Sequence, residues 1–396
     1  MASVTEFPAA PAERPALAPI RVGTRRSDLA RIQTDIVVRA LMEAFPDRQC
    51  EVHAMATMGD KNQVTALHDF GAKSLWTHEL EAALAQGQLD LIVHSLKDMP
   101  TTLPPNMILG AITTRHDARD ALVLSKHLMS ALESATAAPS IPKDLLTAPS
   151  ILASLPEGSV IGTSSVRRSA QLARLHPHLR FESVRGNIGT RLSKLDDKDG
   201  PYVAIILASA GLERMNWSAR ISRYLTSRGE EDREGRLFGS DESVKERREA
   251  SGPPFRGVLH AVGQGALGIE IRGDDEAMQG MLAKVACVRS TLAGLAERSL
   301  MRMLEGGCSV PIGVETEWVH SSTTSRETLA MRAIVASLDG KQVAEVELTE
   351  DVGNNQEAEL FGKKVAQALV ENGAGPILDA IIKEREAGEA SRTAEI

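Results

Sequence analysis

Apolar residues near the start of the chain recur with two different periods. Residues 20–23 predict a short strand, and apolar positions then repeat at helical spacing up to about Phe45. Ser27 precedes the helical segment and belongs to the residue types that cap helix N-termini. Strands are also predicted at 51–56 and 89–94, with a helix at 77–85. Because strands alternate with helices, we expect a parallel α/β sheet.

The same alternation begins again after residue 160 and defines a second unit of similar design. This unit has predicted strands at 160–162, 180–184 and 202–208, and predicted helices at 166–175 and 188–195. A third segment follows, with strands at 269–271, 328–336 and 342–348 and helices at 289–304 and 356–371. The predicted fold class is therefore α/β, with a smaller α+β region at the C-terminal end.

Four stretches lack this pattern. Residues 1–19 are rich in Ala and Pro and predict a disordered tail rather than a targeting peptide. Residues 125–156 and 226–255 resemble insertions and predict partly disordered surface loops. The charged tail after residue 384 is predicted to be mobile.

Composition narrows the possible functions. The chain has 396 residues, a formal net charge of -8 and only 3% aromatic residues. These values disfavour broad attraction to nucleic acid or anionic membranes and disfavour base stacking. Three widely separated cysteines favour a reducing compartment and form no zinc-type pair, and no apolar run reaches membrane-spanning length. Any anion-binding site must therefore be a local concentration of basic groups.

Such concentrations occur where predicted strands pass into predicted helices. Three junctions combine arginine with small or hydroxyl residues, and they are Gly23-Thr24-Arg25-Arg26-Ser27, Gly162-Thr163-Ser164-Ser165-Val166-Arg167-Arg168 and Arg185-Gly186-Asn187-Ile188-Gly189-Thr190-Arg191. Arginine in the first turn of a helix is unfavourable by up to about 1 kcal/mol, and an anion reverses the sign. Carboxyl ends of parallel strands are common ligand sites. The pattern predicts an arginine-lined cleft for an anionic ligand, either carboxylate or phosphate.

For any single arginine in these junctions the alternative is a surface or interdomain salt bridge. The recurrence of the same chemistry at three junctions favours the ligand interpretation.

Two further segments carry reactive residue types. In the run from Leu91 to Pro100, the apolar strand leads into Lys97 and Asp98, and Pro100 favours an extended Met99. Asp98 is suited to stabilising a cation or moving protons, although a structural ion pair or turn cap is the alternative. Cys308 follows two glycines on a predicted loop, although a free cysteine is often a small buried hydrophobe.

The segment from Gly263 to Gly268 matches the spacing of a dinucleotide-binding loop. That motif opens a helix after a strand, whereas a predicted strand follows this one. We therefore interpret the glycines as a tight crossing between domains.

These segments, in this order, resemble those of the porphobilinogen deaminase (hydroxymethylbilane synthase) family. The resemblance covers about 20–125, 160–222 and 260–313, and the matching motifs are VHSLKDMP, GTSSVRRSAQLARLHP, VRGNIGTRLSKLD, ILASAGLERM, AVGQGALGIEIR and LEGGCSVPIG. Several long motifs in the correct order make a chance match implausible.

The resemblance implies three domains, the first two like the lobes of a periplasmic binding protein and the third a small α+β domain. On this chain the first domain would be 20–118 with 262–285, the second 119–261 and the third 286–396. It also implies a dipyrromethane cofactor attached through a thioether to a loop cysteine, which Cys308 matches. The implied reaction joins four porphobilinogens head to tail with loss of ammonia, and water then releases hydroxymethylbilane.

The resemblance also implies roles for individual residues. Asp98 and Lys97 match catalytic positions. Cofactor-binding positions are matched by Cys308, Arg167, Arg168, Arg185, Arg191, Arg214, Thr163, Ser164, Ser165, Asn187, Gly189, Lys97 and Asp98. Substrate-binding positions are matched by Thr24, Arg25, Ser27, Gln33, Arg185 and Arg191. Each porphobilinogen carries an acetate and a propionate, which agrees with arginine-rich junctions in an acidic protein.

The resemblance implies a monomer with porphobilinogen and the growing polypyrrole as its partners, and no metal, nucleic acid or membrane is expected. The absence of a recognisable targeting signal predicts a cytoplasmic location. Two other hypotheses remain at this point. A non-catalytic two-lobed anion-binding protein explains the arginines but not Cys308, and a dinucleotide enzyme would use 263–268.

Overall fold

The computed structural model describes residues 18–55, 77–136, 147–227, 257–304, 310–320 and 327–394. Contacts between residues divide the chain into two compact units. Unit 1 contains Met1–His116 and Gly265–Gly294, and unit 2 contains Asp117–Gln264 and Leu295–Ile396. The chain passes from unit 2 to unit 1 between Gln264 and Gly265, and both Gly263 and Gly265 have positive φ angles. This agrees with the predicted crossing and, because β-strand Leu267–Arg272 follows, excludes the dinucleotide-binding interpretation.

The described residues form three sheets and the helices around them. The strands are β1 (Ile20–Arg25), β2 (Cys50–Met55), β3 (Leu91–Ser95), β4 (Met107–Ile112), β5 (Asp120–Leu124), β6 (Val160–Gly162), β7 (Arg180–Glu182), β8 (Tyr202–Ala208), β9 (Arg223–Leu225), β10 (Leu267–Arg272), β11 (Ile312–His320), β12 (Glu327–Ala336) and β13 (Val343–Glu350). The helices are α1 (Asp28–Ala44), α2 (His78–Ala85), α3 (Lys126–Thr136), α4 (Ala148–Ser154), α5 (Val166–Leu175), α6 (Ile188–Asp196), α7 (Ser209–Arg214), α8 (Glu276–Leu282), α9 (Val288–Met303), α10 (Asn355–Leu369) and α11 (Gly375–Ala394).

Unit 1 is built on a five-stranded sheet in the order β2-β1-β3-β10-β4. Strands β1, β2 and β3 are parallel, whereas β10 runs antiparallel to both β3 and β4. The predicted parallel pairing of the three N-terminal strands is confirmed, whereas the antiparallel direction of β10 was not predicted. The reason is the chain path, because β10 enters this sheet only after the chain has passed through unit 2.

The second sheet has the order β7-β6-β8-β5-β9 and lies in unit 2. Strands β6, β7 and β8 are parallel as predicted, and β5 is antiparallel to β8 and β9. Neither β5 nor β9 was predicted. One side of this sheet packs against α4, which buries Ile151 and Leu152.

The third sheet is the antiparallel array β11-β12-β13, and helix α10 packs against it. Phe361 and Val365 of α10 and Ile334 of β12 are completely buried. A mixed α/β class with a small α+β region toward the C terminus is thus confirmed. The division into three domains stays a prediction, since contacts group the second and third sheets into one unit.

The prediction of surface loops for 125–156 was wrong where the structure describes that segment, whereas the predicted mobility of the tail stays a prediction. Within 125–156 the structure forms α3 and α4, and the Thr147 hydroxyl caps α4 by accepting a hydrogen bond from the Ser150 N–H. The tail after residue 384 continues α11 as far as Ala394. Both segments are rich in Ala, a strong helix former, and their weak apolar periodicity concealed this. The predicted disordered tail, apart from Ala18 and Pro19, and most of the insertion-like segment 226–255 lie outside the described residues.

Candidate functional site

In unit 1 the parallel pairing of β1 with β3 brings their carboxyl ends to one edge of the sheet. Val22 lies opposite Leu91 and Gly23 opposite Ile92. Thr24 and Arg25 complete β1, and a single 3₁₀ turn, Leu96–Asp98, follows β3. The sequence interpretation is therefore correct in placing Arg25, Lys97 and Asp98 at this edge.

The turn that carries Lys97 and Asp98 is anchored on both sides by buried apolar residues. Leu96 and Met99 are 1% and 0% exposed, and the Leu96 N–H donates to the Ala266 carbonyl at 3.0 Å. Met99 is extended, as expected before Pro100. Lys97 is half-buried and Asp98 is exposed. The anchors thus fix the turn while Asp98 is presented to solvent.

Three other predicted residues of unit 1 have defined local partners. The Ser27 hydroxyl caps α1 by accepting from the Ala30 N–H, and the buried Thr24 hydroxyl donates to the Ala30 carbonyl at 3.3 Å. The Ser95 hydroxyl donates to Oε1 of buried Gln33 at 3.0 Å. Gln33 therefore ties α1 to the end of β3, next to the Lys97–Asp98 turn.

In unit 2 the junctions after β6 and β7 lie side by side. The Thr163 N–H donates to the Glu182 carbonyl at 2.8 Å, and the Ser164 hydroxyl donates to the Val184 carbonyl at 2.7 Å. Two of the three predicted basic junctions are thus brought together at the carboxyl ends of parallel strands.

Polar side chains in these two junctions shape the backbone. Ser165 caps α5 by accepting from the Arg168 N–H, and Asn187 caps α6 by accepting from the Thr190 N–H at 2.8 Å. The Thr163 hydroxyl accepts from the Ser165 N–H at 3.2 Å. Their predicted ligand contacts stay predictions.

The loop before α6 depends on glycine and on Arg191. Gly186 has a φ of +112°, which strongly favours glycine, and a Cβ atom there would meet the Thr190 side chain. The Nε atom of half-buried Arg191 donates to the Gly186 carbonyl at 2.8 Å. Arg185 is half-buried in the same loop. A Cβ atom on nearby Gly189 would lie 3.4 Å from the Trp217 ring.

Arg167 and Arg168 are buried at the start of α5 and share one carboxylate. Arg167 Nη1 lies 2.8 Å from Oδ2 of Asp120, and Arg168 Nη2 lies 2.7 Å from Oδ1. Backbone carbonyls fix the same guanidiniums, since Arg167 Nη1 also donates to Leu259 and Arg168 Nη1 to Ile206. An internal carboxylate thus supplies part of the negative charge that the sequence analysis assigned to a ligand.

The ionisation of this cluster follows from burial and charge. Burial by itself would raise the pKa of the Asp120 carboxyl, but Arg167 and Arg168 outweigh burial and hold it well below its usual range. Burial lowers the pKa of Arg167, and the Asp120 charge opposes that effect. Burial also lowers the pKa of Arg214 to about 10, with the adjacent Glu213 opposing it. Arg214, predicted to bind cofactor, closes α7 after β8.

Asp120 is the important residue that sequence reasoning missed. It lies 47 positions before Arg167 along the chain. Its one local signal is an acidic side chain at the start of an apolar run, and nothing in the sequence alone pairs it with α5.

The thiol prediction concerns Cys308, which lies outside the described residues, whereas Cys50 and Cys287 are free thiols. In the described parts of the chain, no group of three or more His, Cys, Asp or Glu side chains has an arrangement suited to a metal ion. No helix among the described residues is both long and apolar enough to cross a membrane.

The arginine pair fits a polycarboxylate cofactor. Two buried guanidiniums face one buried carboxylate, and the Nε atoms of both arginines are buried without a hydrogen-bond partner among the described residues. Uncompensated buried charge is costly, and a ligand carboxylate would offset that cost.

Family comparisons agree with this chemistry. Residues 20–280 match the model described as "Porphobilinogen deaminase, dipyromethane cofactor binding domain", and residues 291–371 match the "Porphobilinogen deaminase, C-terminal domain".

Curated relatives extend over nearly the whole chain. Porphobilinogen deaminase from Neurospora crassa is 42% identical over 95% of this chain and 98% of its own length. The enzyme from Yarrowia lipolytica is 45% identical over 96% of this chain and 98% of its own, and that from Synechococcus elongatus is 41% identical over 92% and 95%. These findings disfavour the non-catalytic alternative. The chain belongs to the porphobilinogen deaminase family.

Proposed function

We propose that this protein is a hydroxymethylbilane synthase, a transferase of tetrapyrrole biosynthesis. It joins four porphobilinogen molecules head to tail, releases ammonia at each addition, and then releases hydroxymethylbilane by hydrolysis. Family membership over nearly the full chain supports the activity. The structural observation that carries the proposal is the buried Arg167–Arg168 pair beside the Arg185–Arg191 loop, since this substrate class has two carboxylates on every ring.

In unit 1, Asp98 is proposed as the catalytic carboxylate. Its carboxylate is exposed on a turn whose flanking residues are fixed. It can therefore accept hydrogen bonds from pyrrole N–H groups and stabilise the positive charge that develops on porphobilinogen as ammonia leaves. Lys97 stands beside it on the same turn. Arg25 and the Gln33-anchored start of α1 supply carboxylate-binding and positioning groups for substrate, with Thr24 and Ser27 shaping that junction.

In unit 2, the residues proposed to hold the cofactor are Arg167, Arg168, Arg185, Arg191 and Arg214, with Thr163, Ser164, Ser165, Asn187 and Gly189 building the junctions. When bound, the dipyrromethane supplies the pyrrole carbon to which the first substrate ring is joined. Cys308 is proposed as its thioether attachment, as the family resemblance implies.

Intact-mass measurement on the denatured full chain tests this function. Protein from a host that makes porphobilinogen should carry an adduct of two pyrrole units, and Cys308→Ser should lack it. Wild-type protein should also convert porphobilinogen to hydroxymethylbilane with one ammonia released per ring. An unmodified, inactive wild-type chain would contradict the proposal.

We also propose a monomeric, cytoplasmic enzyme with the three-domain division 20–118 with 262–285, 119–261 and 286–396. Few and separated cysteines support a reducing compartment. Three separate sheets support the domain division. Light scattering during size-exclusion chromatography, which should give the mass of one chain, tests the oligomeric state.

A further inference from the structure

Asp120 occupies an unusual position at the centre of the arginine cluster in unit 2. It is the first residue of β5, and its side chain is 1% exposed. Its two oxygens accept hydrogen bonds from different partners. Oδ2 accepts from Arg167, whereas Oδ1 accepts from Arg168 and, at 2.8 Å, from the Gln264 amide. One carboxylate therefore determines where both guanidiniums lie.

The backbone reinforces this arrangement from two directions. The Leu259 carbonyl that receives Arg167 is itself held by Gln171, whose amide donates to it at 3.1 Å and accepts from the Leu259 N–H at 2.8 Å. The Ile206 carbonyl that receives Arg168 belongs to the central strand β8. Each guanidinium is thus fixed by one charged and one neutral acceptor, which restricts its rotation.

The charges in the cluster do not balance. In the described part of the chain, Asp120 is the carboxylate that forms an ion pair with these two arginines, so one positive charge remains uncompensated in a buried environment. Without Asp120 the two guanidiniums would repel each other across neighbouring positions of one helix turn. With Asp120, the pair keeps a net charge that a single ligand carboxylate can neutralise.

We propose that Asp120 is a positioning residue for cofactor binding, which holds Arg167 and Arg168 as one preorganised site for a single carboxylate of the pyrrole cofactor. The inference rests on the proposed function. Asp120 itself touches no ligand and acts through the two arginines. Preorganised donors bind an anion more tightly because less side-chain freedom is lost on binding.

The test uses the full chain prepared without cofactor, in a host that makes no porphobilinogen. Purified porphobilinogen is then added, and the fraction of protein carrying the pyrrole adduct is followed by intact mass. Asp120→Asn removes the charge, and Asp120→Glu keeps the charge but moves it by one methylene. We expect both variants to form adduct at least tenfold more slowly per folded molecule, with the folded fraction measured by circular dichroism.

Asp196→Asn is the matched control. Asp196 forms a two-pronged ion pair with Arg220 at 2.8 and 2.9 Å in the same unit, but outside the cluster. This variant should form adduct at the wild-type rate. Folded Asp120→Glu that forms adduct at the wild-type rate would overturn the positioning role, even if Asp120→Asn fails to fold.

A double-variant comparison separates action through arginine from a general effect. If Asp120 works through its partners, Asp120→Asn should slow adduct formation much less in an Arg168→Gln background than in wild type. If the double variant is slowed by the product of the two single effects on the rate of adduct formation, the two residues act independently and the inference is overturned. Wild-type protein that forms no adduct would instead contradict the proposed function, so the two failures are distinguishable.

Discussion

The Nε2 atom of His94 lies 2.9 Å from a carboxylate oxygen of Glu270, and the two side chains are 7% and 0% exposed. The pair joins β3 to β10, the strand that was not expected to run antiparallel in this sheet. Glu81 on α2 is a charged neighbour of the same pair, and burial is the main cause that raises the pKa of its carboxyl. The pair therefore couples the end of β3, which precedes the Lys97–Asp98 turn, to the core of unit 1.

Removing one partner of this pair should destabilise the protein. Glu270→Ala leaves His94 buried without its acceptor, and we expect a loss of about 3 kcal/mol in the free energy of unfolding. Glu270→Gln keeps an oxygen at the same position and should lose markedly less. Thermal unfolding of the full chain measures both. Glu51→Gln, at the more exposed His53–Glu51 pair, is the control and should change the midpoint little. Equal midpoints for Glu270→Ala and wild type would contradict the role.

Asp98 leads to a different expectation, because its side chain is exposed and its turn is held by Leu96 and Met99. Asp98→Ala should fold normally and keep the cofactor adduct, yet lose about 100-fold or more in turnover. Asp35→Asn removes an exposed carboxylate elsewhere in unit 1 and should keep wild-type turnover. The measurements are intact mass, the unfolding midpoint and the rate of porphobilinogen consumption. Normal turnover in Asp98→Ala would remove this residue from the mechanism.

His176 makes the stability of unit 2 depend on pH. It ends α5, and burial, with a smaller contribution from His178, lowers its pKa to about 4. An unfolded chain binds the proton at an ordinary pKa near 6.5, so between these values the unfolded state holds more protons than the folded state. Stability should therefore fall as pH drops below about 6.5, by about 2 kcal/mol from this residue at pH 5.

His176→Gln should flatten that part of the pH profile, measured as the unfolding midpoint between pH 7.5 and pH 5. The exposed His127 on α3 provides the control, since His127→Gln should leave the slope unchanged. An unaltered slope in His176→Gln would show that other groups set the acid sensitivity.

Sequence reasoning reached the local features of the fold more readily than the long-range ones. Helices α1 and α5 were predicted almost to the residue, and for α1 the capping residue Ser27 was also recognised. The antiparallel direction of β10 was missed, because strand direction depends on where the chain returns to a sheet, and β5 was not predicted as a strand. The composition of 125–156 suggested loops, although its apolar residues complete the core beneath the second sheet.

The same contrast between local and long-range features applies to the candidate site. Arg25, Lys97 and Asp98 share one sheet edge because adjacent parallel strands deliver them there, which strand–helix alternation predicts. The Arg167–Arg168 pair was recognised as basic, yet its internal partner Asp120 was not. Asp120 on β5 and the two arginines on α5 are brought together by tertiary packing, and no local pattern in the sequence indicates that contact.

Helix α10 approaches α9 so closely that Gly362 has no room for a side chain. A Cβ atom at Gly362 would overlap the Ala296 carbonyl oxygen and lie 2.8 Å from the Ser299 Cβ. The backbone of α9 would have to move, and the Ser299 hydroxyl that donates to the Glu359 carbonyl at 2.7 Å would move with it. Gly362→Ala should therefore lower the free energy of unfolding by about 3 kcal/mol, despite the higher helix propensity of alanine.

Gly280, within helix α8, gives the matched comparison because a Cβ there meets nothing within 4 Å. Gly280→Ala should stabilise the protein by about 0.5–1 kcal/mol, since it restricts the unfolded chain without creating a clash. Denaturant-induced unfolding of both variants, followed by circular dichroism, measures the contrast. Opposite signs at the two glycines would show that the contact between α9 and α10, rather than helix propensity, determines the residue at 362. Stabilisation by both substitutions would contradict the close packing of these helices.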